Sequence, residues 1–193
     1  MPDAGRVIAG TARGIRLQAP GPGTRPFGDR VKQTLFAILE PDLRGARVLD
    51  LFAGSGAGGI EALSRGATSA VFVERDAAAA AVIAGNLRAT NLGGASRATV
   101  VRADVATYLG RLPVDEPRFG IVIVDPPYAD TGARDRVLEL LGVRAAPLAN
   151  GARVVVKHFW RDQPPAQAGL LASERARRFG ETALTFYRRQ EDG

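Results

Sequence analysis

"VLDLFAGSGAGG", residues 48–59, is the stretch that decides the fold. It begins in the apolar run 47–52 and continues into a glycine-dense turn, after which residues 58–66 have the pattern of a helix that ends at Gly66. Glycine permits tight backbone angles and lets a ligand touch the backbone, and the first turn of a helix offers unpaired amides. The stretch therefore predicts a strand, a ligand-binding turn and a helix, in that order.

The same alternation of strand and helix continues through the chain. Further apolar runs do not alternate with polar residues, which is typical of parallel strands covered on both faces. The predicted fold class is therefore α/β, with a mostly parallel twisted sheet, helices on both faces and an antiparallel C-terminal strand. The predicted strands are 70–74, 98–104, 120–125 and 152–158, the predicted helices are 76–91 and 133–141, and "ERARRF" with 182–189 forms the closing antiparallel pair.

The N-terminus precedes this alternation. Residues 6–18 are predicted to form a small β-hairpin, and residues 20–28, "PGPGTRPFG", contain too much proline and glycine for regular structure. A helical pattern then begins, with Asp29 as its expected N-cap. We therefore expect a basic N-terminal hairpin and loop extension over 1–28 and one larger domain over 29–193.

The positive charge is concentrated at the two ends of the chain. Of the formal net charge of +6, residues 1–32 contribute +4, residues 33–149 contribute −1 and residues 150–193 contribute +3. Arginine supplies 24 of the 26 cationic side chains, and its planar fork suits phosphates and base stacking. Basic ends around a near-neutral middle indicate a polyanionic partner, and arginine codons favoured by a GC-rich genome are the alternative explanation.

Composition also excludes several classes of protein. The sequence has no cysteine and one histidine, His158, which excludes a disulfide framework and a thiolate metal site and argues against a His-rich metal site. His158 is expected to be a surface histidine rather than an acid or base. Residues 1–20 do not resemble a secretory leader, and no apolar run approaches the ~20 residues that span a bilayer. We expect a cytoplasmic monomer without a metal ion or a membrane contact.

The glycine turn is compatible with two nucleotide-type ligands. Gly54, Gly56 and Gly59 satisfy the G-x-G-x-x-G spacing of dinucleotide-binding turns, and Glu74 follows at the end of the next strand, where ribose hydroxyls are held. An NAD-binding site is therefore one interpretation.

Two further acids favour a different ligand. Asp50 lies at the end of the first strand, where it can meet an amine, and Asp104 ends the third, where it can receive an adenine amino group. A ligand with an ammonium group, a ribose and an adenine but no pyrophosphate is S-adenosylmethionine. The alternative is that both acids only cap strand-to-helix turns.

"DPPY", residues 125–128, follows the fourth strand and favours methyl transfer to a base amine. The lone pair of an exocyclic amine is delocalised, so acceptors for both of its N–H bonds stabilise the developing positive charge. Asp125 offers a carboxylate, and the Pro126 carbonyl is held still by Pro127. Tyr128 is able to stack on an unpaired base. The alternative is a Pro-Pro turn with an exposed tyrosine.

The chain resembles the RsmD family, the guanine-N2 methyltransferases of 16S small-subunit ribosomal RNA. The resemblance covers roughly residues 6–157 and implies a Rossmann-like class I methyltransferase fold. "DPPY" is shared by many methyltransferases, whereas "TRPxxDRV" ahead of the glycine turn is specific to this family. The matching segments are "RVIAGTARGIRL", "TRPFGDRVKQTLFAIL", "LDLFAGSGAGGIEALSRGA", "FVERD", "NL" and "DPPY".

The resemblance implies a set of site residues. The expected catalytic loop runs from Asp125 to Tyr128. Relatives often carry a glutamate at the position of Lys157, so no role is transferred to Lys157 or to His158. The methionine end of the cofactor would be lined by Asp50, Phe52, Ala53, Gly54, Ser55 and Gly56, the ribose held by Glu74, and the adenine contacted by Arg75, Ala103 and Asp104. The expected RNA contacts are Arg6, Arg13, Arg16, Thr24, Arg25 and Arg30.

The resemblance implies methyl transfer from S-adenosylmethionine to a guanine N2 of 16S ribosomal RNA, within a small-subunit particle, with S-adenosylhomocysteine as product. A DNA adenine-N6 or cytosine-N4 methyltransferase is the enzymatic alternative, although the sequence shows no separate target-recognition domain. A non-catalytic RNA-binding protein of ribosome assembly is the third interpretation.

Overall fold

Eight strands form one central sheet in the computed structural model, which describes residues 3–21, 28–113, 118–128 and 130–191. The first two strands stand apart as an antiparallel pair. In chain order the elements are β1 (Asp3–Arg6), β2 (Arg16–Gln18), α1 (Asp29–Leu43), β3 (Arg47–Leu51), α2 (Ala57–Ser64), β4 (Ser69–Glu74), α3 (Ala77–Ala89), β5 (Ala98–Arg102), α4 (Val105–Leu109), β6 (Phe119–Val124), α5 (Thr131–Gly142), β7 (Leu148–Phe159), β8 (Gln167–Ala168), β9 (Leu171–Phe179) and β10 (Thr182–Arg189).

The sheet is parallel on one side and antiparallel on the other. Its order is β5-β4-β3-β6-β7-β10-β9-β8. The strands β5, β4, β3, β6 and β7 pair in parallel, and β10, β9 and β8 continue antiparallel. The chain moves outward from β3 to β5 and then returns to β6, so the strand order reverses between β3 and β6. Ligands in open α/β sheets bind beyond the carboxyl ends of the strands at such a point.

Helices cover both faces of the sheet, as predicted. The helices α1, α2 and α3 pack with the N-terminal hairpin on one face, where Phe36 and Ile60 are fully buried. The helices α4 and α5 cover the other face, where Leu138 and Leu141 are buried. The α/β fold class and the antiparallel C-terminal strands are confirmed. Within the described ranges, no helix has the length and apolar character needed to cross a membrane.

Two glycines at the start of α2 let the helix pack closely on the sheet. A Cβ at Gly59 would lie 2.4 Å from Cε1 of Phe72, so α2 approaches β4 closely only because this side chain is absent. A Cβ at Gly58 would lie 3.2 Å from Oδ2 of Asp50. Close packing of the helix on the sheet brings the N-terminus of α2 to the strand ends.

The hairpin is held on α2 by buried polar contacts. The Glu61 carboxylate accepts hydrogen bonds from the amides of Ile8 (2.7 Å) and Ala9 (3.0 Å). The buried Lys32 ammonium of α1 donates to the carbonyl of Arg6. These contacts satisfy backbone groups of the turn between β1 and β2 and fix its position against the core.

The structure differs from the sequence-based prediction in short elements and at element boundaries. The helix α4, of five residues, and the two-residue strand β8 were not predicted, because such short segments carry no clear period. The strand β1 begins at Asp3 rather than near residue 6. Asp29 was expected to cap α1, but Gly28 holds that position and Asp29 is the first helical residue.

Candidate active site

A large cavity opens above the carboxyl ends of β3, β4, β6 and β7, at the reversal of strand order. Its volume is about 1030 Å³, at the upper end of the range for small-ligand sites. Its wall also includes the chain just after β2, at Ala19, Pro20 and Gly21. The predicted site residues that line it are Asp50, Phe52, Ala53, Gly54, Ser55, Glu74, Arg75, Asp104, Asp125, Pro126, Pro127 and Tyr128.

The glycine turn after β3 has a backbone that favours glycine. Phe52, Gly54 and Gly56 have φ angles of 58°, 54° and 77°. A phenylalanine in this left-handed region is uncommon, and such conformations concentrate at functional sites. Gly56 caps the N-terminus of α2, where a Cβ would lie 3.1 Å from Ile83. Gly56 therefore packs against Ile83 at the start of α2 and does not line the cavity.

Asp50 is buried beneath the glycine turn. Its Oδ2 accepts a hydrogen bond of 2.7 Å from the amide of Gly59 in α2. Burial raises the pKa of Asp50 to about 8, and the negative charges of Asp125 and Glu74 add to the rise, although the Gly59 hydrogen bond opposes it. Asp50 is therefore largely protonated at neutral pH until a cation arrives beside it.

Glu74 and Asp104 both take part in local hydrogen bonds at strand ends. The Glu74 carboxylate accepts from the amides of Gly54 and Asp76, each at 2.9 Å, and so ties the glycine turn to the end of β4. Asp104 is the N-cap of α4 and accepts from the amide of Thr107 at 2.9 Å, which lowers the pKa of Asp104. The predicted capping alternative thus holds for Asp104, which also lines the cavity. Ala103 donates its amide to the Glu74 carbonyl at 3.2 Å.

The loop from Asp125 to Tyr128 forms one wall of the cavity mouth. The Asp125 amide donates to the Leu51 carbonyl at 3.2 Å, which continues the register of β6 on β3. Pro126 is buried and Pro127 is exposed, and the Pro127 carbonyl accepts from the amide of Asp130 at 2.9 Å. The two prolines therefore lie in a closed turn that holds Asp125 at the edge of the sheet.

Lys157, near the end of β7, also lines the cavity, and sequence reasoning assigned it no role. Its Nζ lies 2.8 Å from Oδ2 of Asp125, and only 7% of its side chain is exposed. Burial raises the pKa of Asp125, and the Lys157 ammonium opposes that rise. The sequence signal was that a lysine stands where the resemblance implies a glutamate. This difference did not indicate which residue Lys157 contacts.

Tyr128 is held by a hydrogen bond and a cation. Its hydroxyl lies 2.7 Å from Oγ1 of Thr182, at the start of β10. The Lys157 Nζ lies 5.6 Å from the centre of the Tyr128 ring, within the range of a cation–π contact. The half-buried ring is therefore oriented at the mouth of the cavity.

His158 is buried, so the expectation of a surface histidine was wrong. Its ring lies between β7 and β10, with Nε2 2.9 Å from Oγ1 of Thr185 and Nδ1 2.8 Å from the Phe159 carbonyl. Burial lowers the pKa of His158. Both ring nitrogens therefore have hydrogen-bonding partners, and the partner on β10 depends on the pairing of β10 with β7, which sequence reasoning did not predict.

The predicted RNA contacts in the N-terminal region are partly described. Arg6, Arg13, Arg16 and Arg30 are all exposed. Arg6 pairs with Asp29 at 3.2 Å, and Arg16 pairs with Asp3 at 2.5 Å. Thr24 and Arg25 lie outside the described residues.

The chemical character of the cavity fits an adenosyl amino acid. The buried Asp50 suits an ammonium group, Glu74 suits hydroxyl donors, and Val105 and Ala106 give apolar surface beside Asp104. At the other end, Asp125 and Tyr128 line the same cavity. No group of three or more metal-ligating side chains occurs among the described residues.

The chain is similar to known proteins along nearly its whole length. A model of the family described as Conserved hypothetical protein 95 matches residues 5–188. The Escherichia coli (strain K12) protein named Ribosomal RNA small subunit methyltransferase D is 35% identical over 189 residues, which are 97% of this chain and 91% of that protein.

Two further similarities agree with this match. A Haemophilus influenzae protein of the same name is 40% identical over 124 residues, covering 64% of this chain and 63% of that one. The solved structure of a hypothetical protein from Thermus thermophilus superposes with a TM-score of 0.77 at 34% identity. That superposition covers 94% of this chain and 97% of the other.

Proposed function

Since the chain belongs to the family described as Conserved hypothetical protein 95, the RsmD family that its motifs resemble, we propose that it methylates the exocyclic N2 amine of a guanine in 16S small-subunit ribosomal RNA. S-adenosylmethionine is the proposed methyl donor. The observation that carries the proposal is the Asp125–Tyr128 loop at the mouth of a cavity whose inner end holds Asp50 and Glu74. Relatives named as small-subunit rRNA methyltransferases support the substrate class, and guanine N2 rests on the motif resemblance.

The residues present fit the proposed donor, which supplies a methyl group on a positively charged sulfur. Asp50 would pair with the amino group of its methionine end, and the backbone after β3 would lie along that end. Glu74 would accept from ribose hydroxyls, as the carboxylate at this strand end does in related sheets. Arg75 and Asp104 would flank the adenine.

The residues at the mouth would bind and orient the base. Lys157 occupies Oδ2 of Asp125, so Oδ1 is the oxygen assigned to the target amine. The Pro126 carbonyl is the second acceptor, and together they stabilise positive charge on the nitrogen as its lone pair is used. Tyr128, held by Thr182, would stack on the base once it leaves its helix or loop.

The N-terminal region is proposed as part of the RNA-binding surface. The exposed arginines Arg6, Arg13, Arg16 and Arg30, with Thr24 and Arg25, would contact phosphates around the target. On this proposal residues 1–28 form the RNA-contacting extension and residues 29–193 the catalytic domain. The protein would act as a cytoplasmic monomer on a small-subunit particle.

A methyl-transfer assay tests the proposal directly. Purified protein with tritiated S-adenosylmethionine should label 16S ribosomal RNA, free or in small-subunit particles, and digestion should give N2-methylguanosine. A methylated adenine or cytosine in DNA, without labelling of the RNA, would identify the alternative enzyme. RNA binding without any transfer would favour the non-catalytic assembly protein. Calorimetry should show binding of S-adenosylhomocysteine, and binding of NADH alone would contradict the proposal.

The affinity for S-adenosylhomocysteine should rise with pH between 6 and 8. Asp50 must release its proton to pair with the ligand's ammonium group, and its pKa is about 8 in the free protein. Below that pKa the binding constant should grow by up to about tenfold per pH unit, and it should level off above it. Calorimetry at several pH values measures this. Asp50→Asn should bind more weakly at pH 8 with a flat profile, and a flat profile in the unsubstituted protein would contradict the role of Asp50.

A further inference from the structure

A second cleft lies between α1 and β9, on the face of the sheet that carries the N-terminal hairpin. We call it the β9 groove. It has a volume of about 880 Å³. Its lining includes Gln33, Thr34 and Ala37 of α1, and Arg175 and Arg177 of β9. Arg153 and Glu174 also line it, together with the apolar Ile38, Pro41 and Phe186, so the groove combines arginines with apolar surface.

Most charges around the β9 groove are paired, but two arginines add positive charge beyond those pairs. Arg153 contacts Asp42 at 2.9 Å and also pairs with Glu174, which Arg188 contacts at 2.8 Å. These four side chains balance one another. Arg175 and Arg177 are exposed, and Arg177 uses one N–H on the carbonyl of the preceding residue. A guanidinium has five N–H donors, so most of this donor capacity remains for a ligand.

The two arginines lie on one face of β9 at the spacing of alternate strand residues. That spacing is about 7 Å along the strand, which lets the two side chains contact neighbouring phosphates of one nucleic acid strand. Phe186, opposite Arg175 on β10, forms part of the groove floor. The groove therefore presents a row of donors above an apolar floor.

The register of the sheet connects the β9 groove to the active site. Arg177 pairs with Leu184, and Leu184 pairs with Lys157, so Arg177 lies two strands from the lysine that contacts Asp125. Neighbouring strands are about 4.8 Å apart, which gives roughly 10 Å between these two backbones. The groove extends along α1, from Gln33 to Pro41.

The same groove is continuous with the proposed N-terminal contacts. Arg30 precedes Gln33 and Thr34 by one turn of α1, so it lies on the helix face that lines the groove. A strand of RNA lying in the groove would therefore pass Arg30 as well as Arg177 on its way to the mouth.

We propose that the β9 groove binds the phosphodiester backbone of the RNA beside the target nucleotide. This rests on the proposed function, because it makes the groove the second half of the substrate site. Phosphates match the surplus guanidinium charge, and phosphate contacts fix the position of a nucleic acid without reading its bases. The basic C-terminal segment of the sequence is thereby assigned to the same substrate as the basic N-terminus.

Edge protection is the competing explanation for the arginines of β9. The short strand β8 pairs only with Leu171 and Ala172, so the rest of β9 is an edge where charged side chains discourage pairing with another chain. Glutamates would protect the edge equally well but would repel phosphate. Edge protection therefore predicts unchanged RNA binding when both arginines are replaced by glutamate, whereas phosphate binding predicts weaker RNA binding.

The test compares two double variants of the full chain that lose the same charge. Arg175→Gln/Arg177→Gln removes the surplus charge of the groove, and Arg88→Gln/Arg111→Gln removes two exposed arginines near the C-terminal ends of α3 and α4, away from the cavity mouth. Binding of a 16S ribosomal RNA transcript is measured against salt concentration. The groove variant should bind about tenfold or more weakly, and its slope of log K against log salt should fall by roughly 1 per arginine.

The remaining measurements separate the explanations. Arg175→Glu/Arg177→Glu should stay monomeric and bind RNA more weakly still, with unchanged affinity for S-adenosylhomocysteine as the check on folding. Equal RNA affinity and salt slope in the groove and control variants would overturn the inference, as would full binding by the glutamate variant. If the unsubstituted protein binds the transcript but transfers no methyl group, the proposed function fails, whereas the groove is judged by these binding data alone.

Discussion

Replacing Asp125 with asparagine is expected to lower the rate of methyl transfer by roughly 10²–10³-fold, the loss that follows removal of one group that stabilises charge in a transition state. The asparagine oxygen still accepts a hydrogen bond, but it carries no negative charge to stabilise the nitrogen as it becomes positive. Single-turnover rates with saturating S-adenosylmethionine and RNA measure the effect. Such conditions exclude a change in binding as the cause.

Asparagine is the better substitution because of Lys157. Alanine would remove from position 125 every polar atom that contacts the buried Lys157 ammonium, and the loss of stability would obscure the loss of chemistry. Asp125→Asn should keep its affinity for S-adenosylhomocysteine and a cooperative thermal unfolding. Asp135→Asn, which removes a half-exposed carboxylate of α5 that pairs with Arg134, is the control and should keep the full rate. A rate within threefold of the unsubstituted protein for Asp125→Asn would remove the proposed role.

Lys157→Met is expected to move the acidic limb of the pH–rate profile to higher pH. The active form of Asp125 is the carboxylate, so the rate falls as pH falls through its pKa. Burial raises the pKa of Asp125, and without the ammonium nothing on β7 opposes that rise, so protonation sets in at higher pH. Measurement of kcat/KM from pH 5 to 9 tests this, because the limb reports the pKa of the free enzyme.

The same substitution should lower the free energy of unfolding by up to about 3 kcal/mol at neutral pH, because it leaves a largely buried carboxylate unpaired. Lys157→Arg keeps the charge and should keep the acidic limb near its original position. The double variant Lys157→Met/Asp125→Asn has no charge at either position and should recover most of the lost stability, as a double-mutant cycle would show. If Lys157→Met left both the pH profile and the stability unchanged, the contact with Asp125 would have no part in the reaction.

Local patterns were sufficient to predict most of the fold. The apolar runs that became β3, β4, β6 and β7 are long, lie between clear turn signals and do not alternate, so their type and their parallel pairing follow from sequence. The helix α4 was missed because five residues do not establish a period. Boundaries shifted by a few residues, as at β1, which begins at Asp3 rather than near residue 6.

The sequence alone determined which side chains stand at the ends of the strands. Asp50, Glu74 and Asp125 lie at the ends of apolar runs, and parallel strands present their carboxyl ends at one edge, so their location at one edge of the sheet follows from the sequence. The two prolines after Asp125 likewise predict a rigid turn at that edge.

Only the tertiary structure decided which of these groups touch. Asp125 and Lys157 are 32 residues apart, and their contact depends on the register that places Val124 beside Val156. The contact of His158 with Thr185 depends on the pairing of β10 with β7. Sequence patterns fix the face and the end of a strand, but register and strand order are set by the packing of the whole sheet, and a shift of one residue would separate Asp125 from its lysine.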